Sequence, residues 1–203
     1  MSEIMLARCN EKVMDEQTLN SMFRLRHEVF SGRLKWDVAS EDGMERDIFD
    51  QCDPVYILMR NDAKTVGGCW RLLPTTGPYM LKDTFPQLLH GQPVPQHANI
   101  WELSRFALAK SENESKTFGL SEIPIRMLQK AIQFAKQQGI DSYVTVTTVA
   151  VERLMRKLGL VVHRFGPPIR IGDALTVACW FDIDSNTESM AFGRSTDLSE
   201  KAA

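Results

Sequence analysis

The sequence predicts one α/β domain in which a mixed sheet carries helices on both faces. Strand and helix patterns alternate along most of the chain, and neither an internal repeat nor a long linker interrupts them. The 203 residues include 43% apolar side chains, which is enough for a single core. We therefore expect one domain over residues 1–184, followed by a polar, flexible tail over residues 185–203.

Hydrophobic periodicity and turn residues predict the elements of the first half. In order they are a strand over residues 4–8, a helix over 16–30, strands over 55–60 and 65–73, a short helix or loop over 80–89 and a strand over 99–109. Arg26 interrupts the apolar stripe of the helix, where an aliphatic side chain is expected. The stretch before the second strand is irregular and acidic.

The second half carries clear start and stop residues. Ser121 is a good N-cap, Pro124 is tolerated in the first turn that follows, and Gly139 is a typical stop. The predicted order is a helix between residues 121 and 139, a β-branched strand over 143–149, a helix ending near Gly159 and closing strands near 160–164 and 175–184.

Composition argues against several classes of protein. The formal net charge is −2, so nothing global attracts the chain to nucleic acid or to an anionic membrane. No apolar run approaches the roughly 18 residues of a membrane-spanning helix, and the N-terminus lacks the layout of a signal peptide. The four cysteines have no C-x-x-C spacing, which favours free thiols. We expect a cytoplasmic protein that binds neither nucleic acid nor membrane.

Familiar nucleotide and hydrolase motifs are missing from the sequence. It contains no G-x-G-x-x-G or Walker-type loop and no G-x-S-x-G elbow, so Ser104 is a poor candidate for a hydrolase nucleophile. The four histidines show no metal-ligand spacing, and we expect no metal site. Carboxylates, arginines, aromatics and threonines remain. Such an inventory suits a protein that binds a charged small molecule and moves a proton.

Residues 101–106 predict a buried strand that nevertheless carries a carboxylate, a hydroxyl and a guanidinium. Burying a charge without a partner is costly, so such groups persist when they are paired or when chemistry needs them. The charged residues that lie in apolar or aromatic company are Arg26, Asp47, Arg71, Glu102 and Arg105. They suggest a catalytic pocket, and the alternative for each of them is a structural ion pair.

Five runs of the sequence point to a known family. They are LRHEVF over residues 25–30, WDV over 36–38, MERDIFD over 44–50, CWRLLPTTGPYML over 69–81 and WELSRF over 101–106. In order and spacing they closely resemble the acyl-homoserine-lactone synthases, the autoinducer synthases of bacterial quorum sensing, over about residues 19–184. The resemblance implies a fold similar to the GCN5-related N-acetyltransferases. It also implies S-adenosylmethionine as a substrate rather than a cofactor, and acyl carrier protein as the acyl donor.

The resemblance also implies roles for individual residues. The residues assigned to S-adenosylmethionine binding are Arg26, Phe30, Trp36, Asp47, Asp50 and Phe106, and those assigned to catalysis are Glu102, Arg105, Ser104 and Arg71. The resemblance carries over all of them except Phe106 and Ser104, which lie within the same matched run. Aromatic faces suit a sulfonium or an adenine, carboxylates suit a cation, and an arginine can clamp a carboxylate. For Phe30 and Trp36 the alternative is a plain core position.

Glu102 is the candidate general base. The amine of S-adenosylmethionine must lose a proton to attack a thioester, and a desolvated carboxylate with a raised pKa can accept it directly or through water. In a regular strand Glu102 and Arg105 face opposite sides, so we expect a β-bulge that brings them together. The thioester is already activated, so no covalent enzyme intermediate is needed.

The acyl chain needs an apolar channel near the strand over residues 143–149. The residues assigned to it are Thr145, Thr147, Val146 and Leu103. In the family, a threonine matching Thr145 accompanies 3-oxo chains, which implies a 3-oxo preference here. The alternative for a buried threonine is β-propensity alone.

The helix after residue 149 exposes a basic face that could dock an acidic carrier protein. Its residues are Arg153, Arg156 and Lys157, with His163 and Arg164 following in sequence. The alternative is an ordinary solvated face.

Two other functions compete with the synthase. An acyltransferase that uses coenzyme A would need a diphosphate loop, and none is visible before residue 121 or residue 149. A non-catalytic sensor of S-adenosylmethionine or of lactones would need the pocket but not the general base.

Overall fold

The computed structural model describes residues 2–110 and 122–193, which form one α/β domain around a mixed sheet. The strands are β1 (Ser2–Arg8), β2 (Ser40–Glu41), β3 (Met44–Glu45), β4 (Val55–Asn61), β5 (Val66–Pro74), β6 (Ile100–Leu108), β7 (Ser142–Thr148), β8 (His163–Arg164), β9 (Ile169–Ile171) and β10 (Ala174–Asp182). The α-helices are α1 (Glu16–His27), α2 (Met80–Asp83), α3 (Glu122–Gln138), α4 (Val149–Leu158) and α5 (Ser185–Gly193).

The main sheet runs in the order β1-β4-β5-β6-β7-β10-β8, and β9 pairs with the start of β10. Strands β6 and β7 pair in parallel across the α3 crossover, and the other neighbours on this path are antiparallel. Strands β2 and β3 form a separate short hairpin. This mixed sheet confirms the predicted fold class.

Helices cover both faces of the sheet, as the sequence predicts. Side chains of β5 alternate between the two cores: Cys69 and Leu73 join the core beneath α1, whereas Trp70 and Leu72 join the core beneath α3, α4 and α5. The α1 core holds the aromatic and charged residues of interest. The α3 core is almost entirely aliphatic and aromatic.

A β-bulge in β6 confirms the irregularity that the sequence predicts. Cys69 lies opposite Ala107 while Arg71 lies opposite Ser104, so β6 holds one extra residue between these pairs. Arg105 takes up the extra residue with φ +57°, an uncommon conformation for a non-glycine residue. As a result the Arg105 side chain lies on the α1 face with Glu102, and Phe106 turns to the α3 face.

Strands β6 and β7 separate just before this bulge. Their parallel pairing ends at Leu103 and Thr145, although both strands continue for several residues. The separation opens a gap in the middle of the sheet. A cavity of the candidate active site lies at this gap.

The first helix differs from its prediction at the C-terminal end. Asp15 caps α1 by accepting a hydrogen bond from the Thr18 N–H, and α1 ends at His27 rather than at Phe30. It continues as a π-helix over Glu28–Arg33. Long π-helices are rare and recur at functional sites. This one carries Phe30 and Arg33 to the wall of a cavity.

The helices of the second half begin and end largely where the sequence predicts. Pro124 lies in the first turn of α3, and Gly139 follows α3 with φ +67°. Thr148 caps α4, and Gly159 ends it in the left-handed conformation. The predicted N-cap Ser121 lies outside the described residues.

The flexible tail expected over residues 185–203 is wrong for its first part, because Ser185–Gly193 form α5. Asp184 accepts a hydrogen bond from the Thr187 N–H and so caps the helix, and Ala191 is buried. Gln129 donates to the Ala191 carbonyl, and Lys136 pairs with Glu188 at 2.6 Å, so α5 is held against α3. Most residues of α5 are polar, but Thr187 and Ala191 are buried and form a packed face. Residues 194–203 lie outside the described residues. The short strands β2, β3 and β9 are further elements that the sequence does not predict.

Among the described residues, no helix is long and apolar enough to cross a bilayer. All four cysteines are free thiols.

Candidate active site

Three arginines and three carboxylates form a buried network on the α1 face of the sheet. Its members are Arg26, Arg71, Arg105, Glu45, Asp47 and Asp50. Arg26 pairs with Glu45 at 2.5 Å and with Asp50 at 2.6 Å. Arg105 reaches Glu45 at 2.8 Å and Asp47 at 3.0 Å. The opposing charges balance, so the network can lie in the core without a net buried charge.

Asp47 and Asp50 are held in place by their own backbone. Asp47 caps a 3-10 helix over Ile48–Gln51, accepting from the Phe49 N–H, while Asp50 accepts from the Asp47 N–H. Arg71 then binds Asp47 at 2.5 Å and Asp50 at 2.7 Å. The two acids therefore lie within one turn of the chain, beside the Arg71 guanidinium.

The charges around Asp50 keep it ionised. Burial raises the pKa of Asp50, but Arg26 and Arg71 outweigh burial and hold the pKa below its usual value. Tyr56 donates to Asp50 at 2.6 Å, and burial together with this carboxylate raises the pKa of Tyr56. The phenol therefore stays protonated and acts as a donor.

Glu102 lies beside this network but is held differently. Its two oxygens accept hydrogen bonds from the backbone N–H groups of Met80 (2.9 Å) and Leu81 (2.7 Å), at the start of α2. Burial raises the pKa of Glu102 to about 7, because the two N–H groups and the arginines Arg71 and Arg105 only partly offset the loss of water. A carboxylate with this pKa is suited to exchange a proton near neutral pH.

Ser104 has a structural partner. Its Oγ accepts a hydrogen bond from Arg71 Nε at 3.1 Å, and the residue is buried. The hydroxyl thus orients the arginine that holds Asp47 and Asp50, and among the described residues no hydrogen bond joins it to a base of the kind a nucleophile requires.

Two cavities adjoin the network. The first, which we call the outer cavity, has a volume of about 620 Å³ and includes Trp36, Asp47 and Arg105 in its wall. The second, the inner cavity, has a volume of about 220 Å³ and lies at the gap between β6 and β7. The residues common to both walls are Trp36, Met80, Phe85 and Arg105. The cavities are therefore contiguous.

Aromatic rings line the junction between these cavities. Trp36 packs against Phe30 and Phe85 with ring centroids 5.5 and 5.6 Å away. The Arg105 guanidinium lies 4.9 Å from the centroid of Phe30. Trp36 is 7% exposed, and its indole Nε1 has no hydrogen-bond partner among the described residues. A site of this kind suits a cationic ligand that also carries a flat ring.

A third, smaller space follows the inner cavity on the α3 face. We call it the deep crevice; it has a volume of about 20 Å³ and is lined by side chains of β5, β6, α3 and α4. It shares Phe106 and Val151 with the inner cavity. The inner cavity and the deep crevice therefore lie next to each other on either side of these two side chains.

The structure brings only some of the predicted substrate residues to a cavity surface. Those that line the outer or inner cavity are Phe30, Trp36, Asp47, Arg105, Phe106, Val146 and Thr147. Those that line none of the three cavities are Arg26, Asp50, Arg71, Glu102, Ser104, Leu103 and Thr145. The first five of this second group lie directly behind the cavity wall. Leu103 and Thr145 are buried in the sheet where β6 and β7 still pair.

Glu45 is a site residue that sequence reasoning missed. It is fully buried and binds both Arg26 and Arg105, yet it lies in an acidic stretch that suggests a solvated loop. The available sequence signal was its position inside the run over residues 44–50, which the structure places at the end of the β2–β3 hairpin. Met80 and Phe85, which line both cavities, were missed because their partners lie far away in sequence.

The basic residues assigned to carrier docking fall into two groups. Arg153 and Lys157 are exposed on α4. Arg156 instead binds Glu152 at 3.1 Å, and Arg164 binds the same carboxylate at 2.5 Å. Glu152 is 1% exposed, so Arg156 has a structural partner as well as an exposed side. Among residues 2–110 and 122–193, no cluster of His, Cys, Asp or Glu is arranged to hold a metal ion.

Comparisons with known proteins point to one family. Residues 10–190 match the family model described as autoinducer synthase. An acyl-homoserine-lactone synthase of Pseudomonas aeruginosa is 42% identical over 181 residues, which is 88% of this chain and 89% of the relative. One from Ralstonia solanacearum is 46% identical over 165 residues, or 80% of each chain.

Solved structures give the same result. The crystal structure of the AHL synthase LasI matches with a TM-score of 0.86 and 41% identity over 95% of both chains. The CoA-dependent acyl-homoserine lactone synthase BjaI, solved with SAM and isopentyl-CoA, matches with a TM-score of 0.82 and 27% identity over 96% of this chain and 89% of its own. An N-acetyltransferase from Lactobacillus plantarum, at 13% identity and a TM-score of 0.59, shares the fold, as the predicted likeness to acetyltransferases requires. This chain belongs to the autoinducer synthase family.

Proposed function

We propose that this chain is an acyl-homoserine-lactone synthase that joins an acyl chain to S-adenosylmethionine. The observation that carries the proposal is the pair of contiguous cavities, one wide and partly polar and one apolar, which meet at Trp36 and Arg105. Two substrates of unlike chemistry would meet at that junction. The family membership of the chain and the relatives bound to SAM or to MTA support this assignment.

S-adenosylmethionine would occupy the outer cavity. Trp36 offers an aromatic face to the sulfonium or the adenine, Asp47 offers a carboxylate to a positive group, and Arg105 offers a guanidinium to the substrate carboxylate. Arg71 would hold Asp47, Arg26 would hold the Glu45 that pairs with Arg105, and Asp50 would bridge the two arginines, all without touching the substrate. Arg26, Asp50 and Arg71 therefore make structural ion pairs, the alternative that the sequence left open. Their proposed contribution to catalysis is to keep the wall of the outer cavity preorganised.

The acyl donor would enter through the gap between β6 and β7. The thioester would lie in the inner cavity near Phe106, and the acyl tail would continue towards the deep crevice past Val151. Val146 and Thr147 line the entrance to this path, whereas Thr145 lies just behind it. The predicted 3-oxo preference stays a prediction, because the Thr145 side chain lines none of the three cavities.

Glu102 would receive the proton of the amine. Its pKa of about 7 suits this role, and because it is fully buried the proton would travel through a water molecule rather than by direct contact. The amine nitrogen then attacks the thioester carbonyl, an amide bond forms, and the carrier thiolate leaves. In the second step a substrate carboxylate oxygen attacks the carbon next to the sulfonium. That carbon–sulfur bond breaks, the lactone closes and 5′-methylthioadenosine departs.

We infer acyl carrier protein as the donor. The exposed Arg153 and Lys157 lie on α4, whose Val151 lines the inner cavity, so an acidic carrier could dock beside the entrance. The CoA-dependent relative makes acyl-CoA the competing donor. We place the reaction in the cytoplasm, where free thiols such as the four cysteines persist.

Purified enzyme tests both the reaction and the donor. We expect lactone and 5′-methylthioadenosine in equal amounts from S-adenosylmethionine with acyl carrier protein, and a much lower kcat/KM with the acyl-CoA of the same chain. A higher kcat/KM with acyl-CoA would overturn the donor assignment alone. Substrate binding without any product would favour a sensor.

Replacing Glu102 with Gln separates the enzyme from the sensor more finely. We expect kcat to fall by about 10²–10⁴-fold, the usual contribution of a general base, while S-adenosylmethionine still binds. Unchanged turnover would remove Glu102 from the mechanism.

A further inference from the structure

Residues 34–39, which we call the strap, form one side of the outer cavity. They follow the π-helix, belong to no helix or strand, and include Trp36; residues 36–39 line the cavity. Within this part of the chain the Trp36 N–H donates to the Phe30 carbonyl at 2.9 Å, and the Ala39 carbonyl accepts from the Arg46 N–H at 3.3 Å. The course of the strap therefore depends on contacts with other segments.

The turn between β9 and β10 makes one such contact. Ile171 pairs with Ala174, so Gly172 and Asp173 form a two-residue turn. The Asp173 N–H donates to the Leu34 carbonyl at 3.1 Å, and this hydrogen bond joins the turn to the strap. Strand β10 pairs with β7 over residues 176–182, so the turn is anchored in the main sheet. We call Gly172 and Asp173 the clamp.

Gly172 allows the clamp and the strap to approach more closely than a residue with a side chain would. It has φ +56°, and a Cβ at this position would lie 2.6 Å from the Leu34 carbonyl oxygen and closer still to that of Lys35. Both obstacles are backbone atoms, which cannot rotate away. Lys35 itself has φ +53°, a conformation that a non-glycine residue keeps only where its surroundings fix it.

The contact lies directly beside Trp36. Lys35 precedes Trp36 in the chain, and Ile171, on the other side of the contact, lines the outer cavity together with Trp36. Both Trp36 and Ile171 pack in the α1 core. A displacement of the Lys35 backbone would therefore displace the Trp36 ring in the cavity wall.

We propose that Gly172 is a positioning residue: through the clamp it holds the strap and so fixes Trp36 in the wall of the S-adenosylmethionine site. This inference rests on the proposed function, because it takes Trp36 to contact that substrate. It adds to the function an element distant in sequence, the β9–β10 hairpin, whose turn touches the strap and not the substrate.

The test is Gly172→Ala, with Gly139→Ala as the matched control. Gly139 also has a positive φ, +67°, but a Cβ there would meet open space, and Gly139 lines none of the three cavities. Both variants acquire the same kind of backbone strain, so both should unfold at a lower urea concentration than the wild type. Only Gly172→Ala should push the strap away.

We expect Gly172→Ala to raise both the dissociation constant and the KM of S-adenosylmethionine about tenfold, within the usual range for coupling between separate sites. The KM of octanoyl carrier protein should rise by less than about threefold, because the strap forms more of the outer wall than of the inner one. In Gly139→Ala both KM values should stay within about twofold of the wild type.

Gly172→Asn separates steric contact from backbone strain. Asparagine adopts a positive φ more readily than alanine does, yet it also carries a Cβ. We expect this variant to unfold nearer to the wild type than Gly172→Ala does, while its KM for S-adenosylmethionine stays raised. A wild-type KM in Gly172→Asn would overturn the inference, because the close approach to the strap would then have no effect.

Two other results would also overturn it. One is a KM for S-adenosylmethionine in Gly172→Ala equal to that in Gly139→Ala, and the other is an equal rise in KM for both substrates. Failure of the proposed function has a different signature: the wild type yields no lactone, while amide exchange still reports on the contact between clamp and strap.

Amide exchange on the wild type, followed in ¹⁵N–¹H spectra, covers the case in which the Gly172 variants do not fold. Asp173 is exposed, so protection of its N–H depends on the hydrogen bond to Leu34. We expect this amide to exchange at least about tenfold more slowly than in an unstructured peptide. Saturating S-adenosylmethionine should slow it further, because a clamp that favours the substrate is favoured by it in turn. Fast exchange, or a rate that the substrate leaves unchanged, would contradict the inference.

Discussion

At the scale of single residues, two kinds of buried charge lie side by side. The three arginines of the network are balanced by its three carboxylates, and the pairing of Arg26 and Arg71 with Asp50 keeps that carboxylate charged. Glu102 has two backbone N–H groups instead of a cation in direct contact, and its pKa rises to about 7. The first kind makes a fixed wall, and the second makes a group that titrates near neutral pH.

Stability should therefore depend on the ionisation of Glu102. Its pKa is about 7 in the folded chain and about 4.3 in an unfolded one, so between these values the folded state holds the extra proton. Stability from this group is present at pH 5 and is lost as the pH rises through 7. We expect wild type to lose about 2–3 kcal/mol relative to Glu102→Gln between pH 5 and pH 8. Urea unfolding at both pH values measures this difference, and a constant difference would show an unperturbed carboxyl.

The ion network should be costly to break at one member. Arg26→Met leaves Glu45 and Asp50 short of a partner in the core, and we expect a loss of about 3–5 kcal/mol in unfolding free energy. The matched control is Arg8→Met, since Arg8 pairs with Asp53 at the surface and its loss should cost about 1 kcal/mol or less. Similar losses for the two variants in urea unfolding would mean that the network contributes no more than a surface pair.

The sequence revealed part of this network and hid the rest. Arg26 stood out because it interrupts an apolar stripe, and Glu102 and Arg105 because they lie in an apolar strand. Glu45 did not stand out, because acidic neighbours surround it in sequence. Burial of Glu45 depends on a hairpin that packs on α1, and no local pattern encodes that contact.

At the scale of elements, the bulge in β6 could be predicted and two other irregularities could not. Glu102 and Arg105 are three residues apart, so sharing one face requires an extra residue in the strand, and the structure has it. The π-helix after His27 has no comparable signal, because its residues fit an α-helix equally well. In α5 a few small buried side chains decide the packing, and polar residues outnumber them.

The packing of α5 can be tested at two adjacent positions. Ala191 is 1% exposed and faces α3, whereas its neighbour Phe192 is 43% exposed. We expect Ala191→Glu to lower the unfolding free energy by at least about 1 kcal/mol, since it buries a charge, and Phe192→Glu to change it by less than about 0.5 kcal/mol. If both variants unfold at the urea concentration of the wild type, α5 does not dock as described.

At the scale of the whole molecule, the sheet separates the proposed binding sites of the two substrates. In the proposed function the α1 face, with its charged network and aromatic rings, receives the small cationic substrate, and the apolar α3 face receives the acyl tail. The gap between β6 and β7 joins these faces. Pattern and resemblance predicted the two-faced sheet. The course of the cavities depends on side chains from elements that are far apart in sequence, so it required the structure.

The proposed docking of acyl carrier protein would depend on side chains that the folded chain exposes together on α4. We expect the double variant Arg153→Glu and Lys157→Glu to raise KM for acyl carrier protein about tenfold or more while leaving KM for S-adenosylmethionine within about twofold. Arg156 is unsuitable for this test, because reversing its charge would also disturb Glu152 in the core. Equal changes in both KM values, measured at one ionic strength, would argue against docking at α4.

The most direct test of the account is the product that the chain makes in a cell. A heterologous host without its own autoinducer synthase would express the wild-type chain, and mass spectrometry would examine the spent medium. The account predicts an N-acylhomoserine lactone that disappears in the Glu102→Gln host. A medium that contains no acylated lactone, from cells in which the chain is folded and supplied with both substrates, would contradict the claim that the two cavities bring an amine and a thioester together.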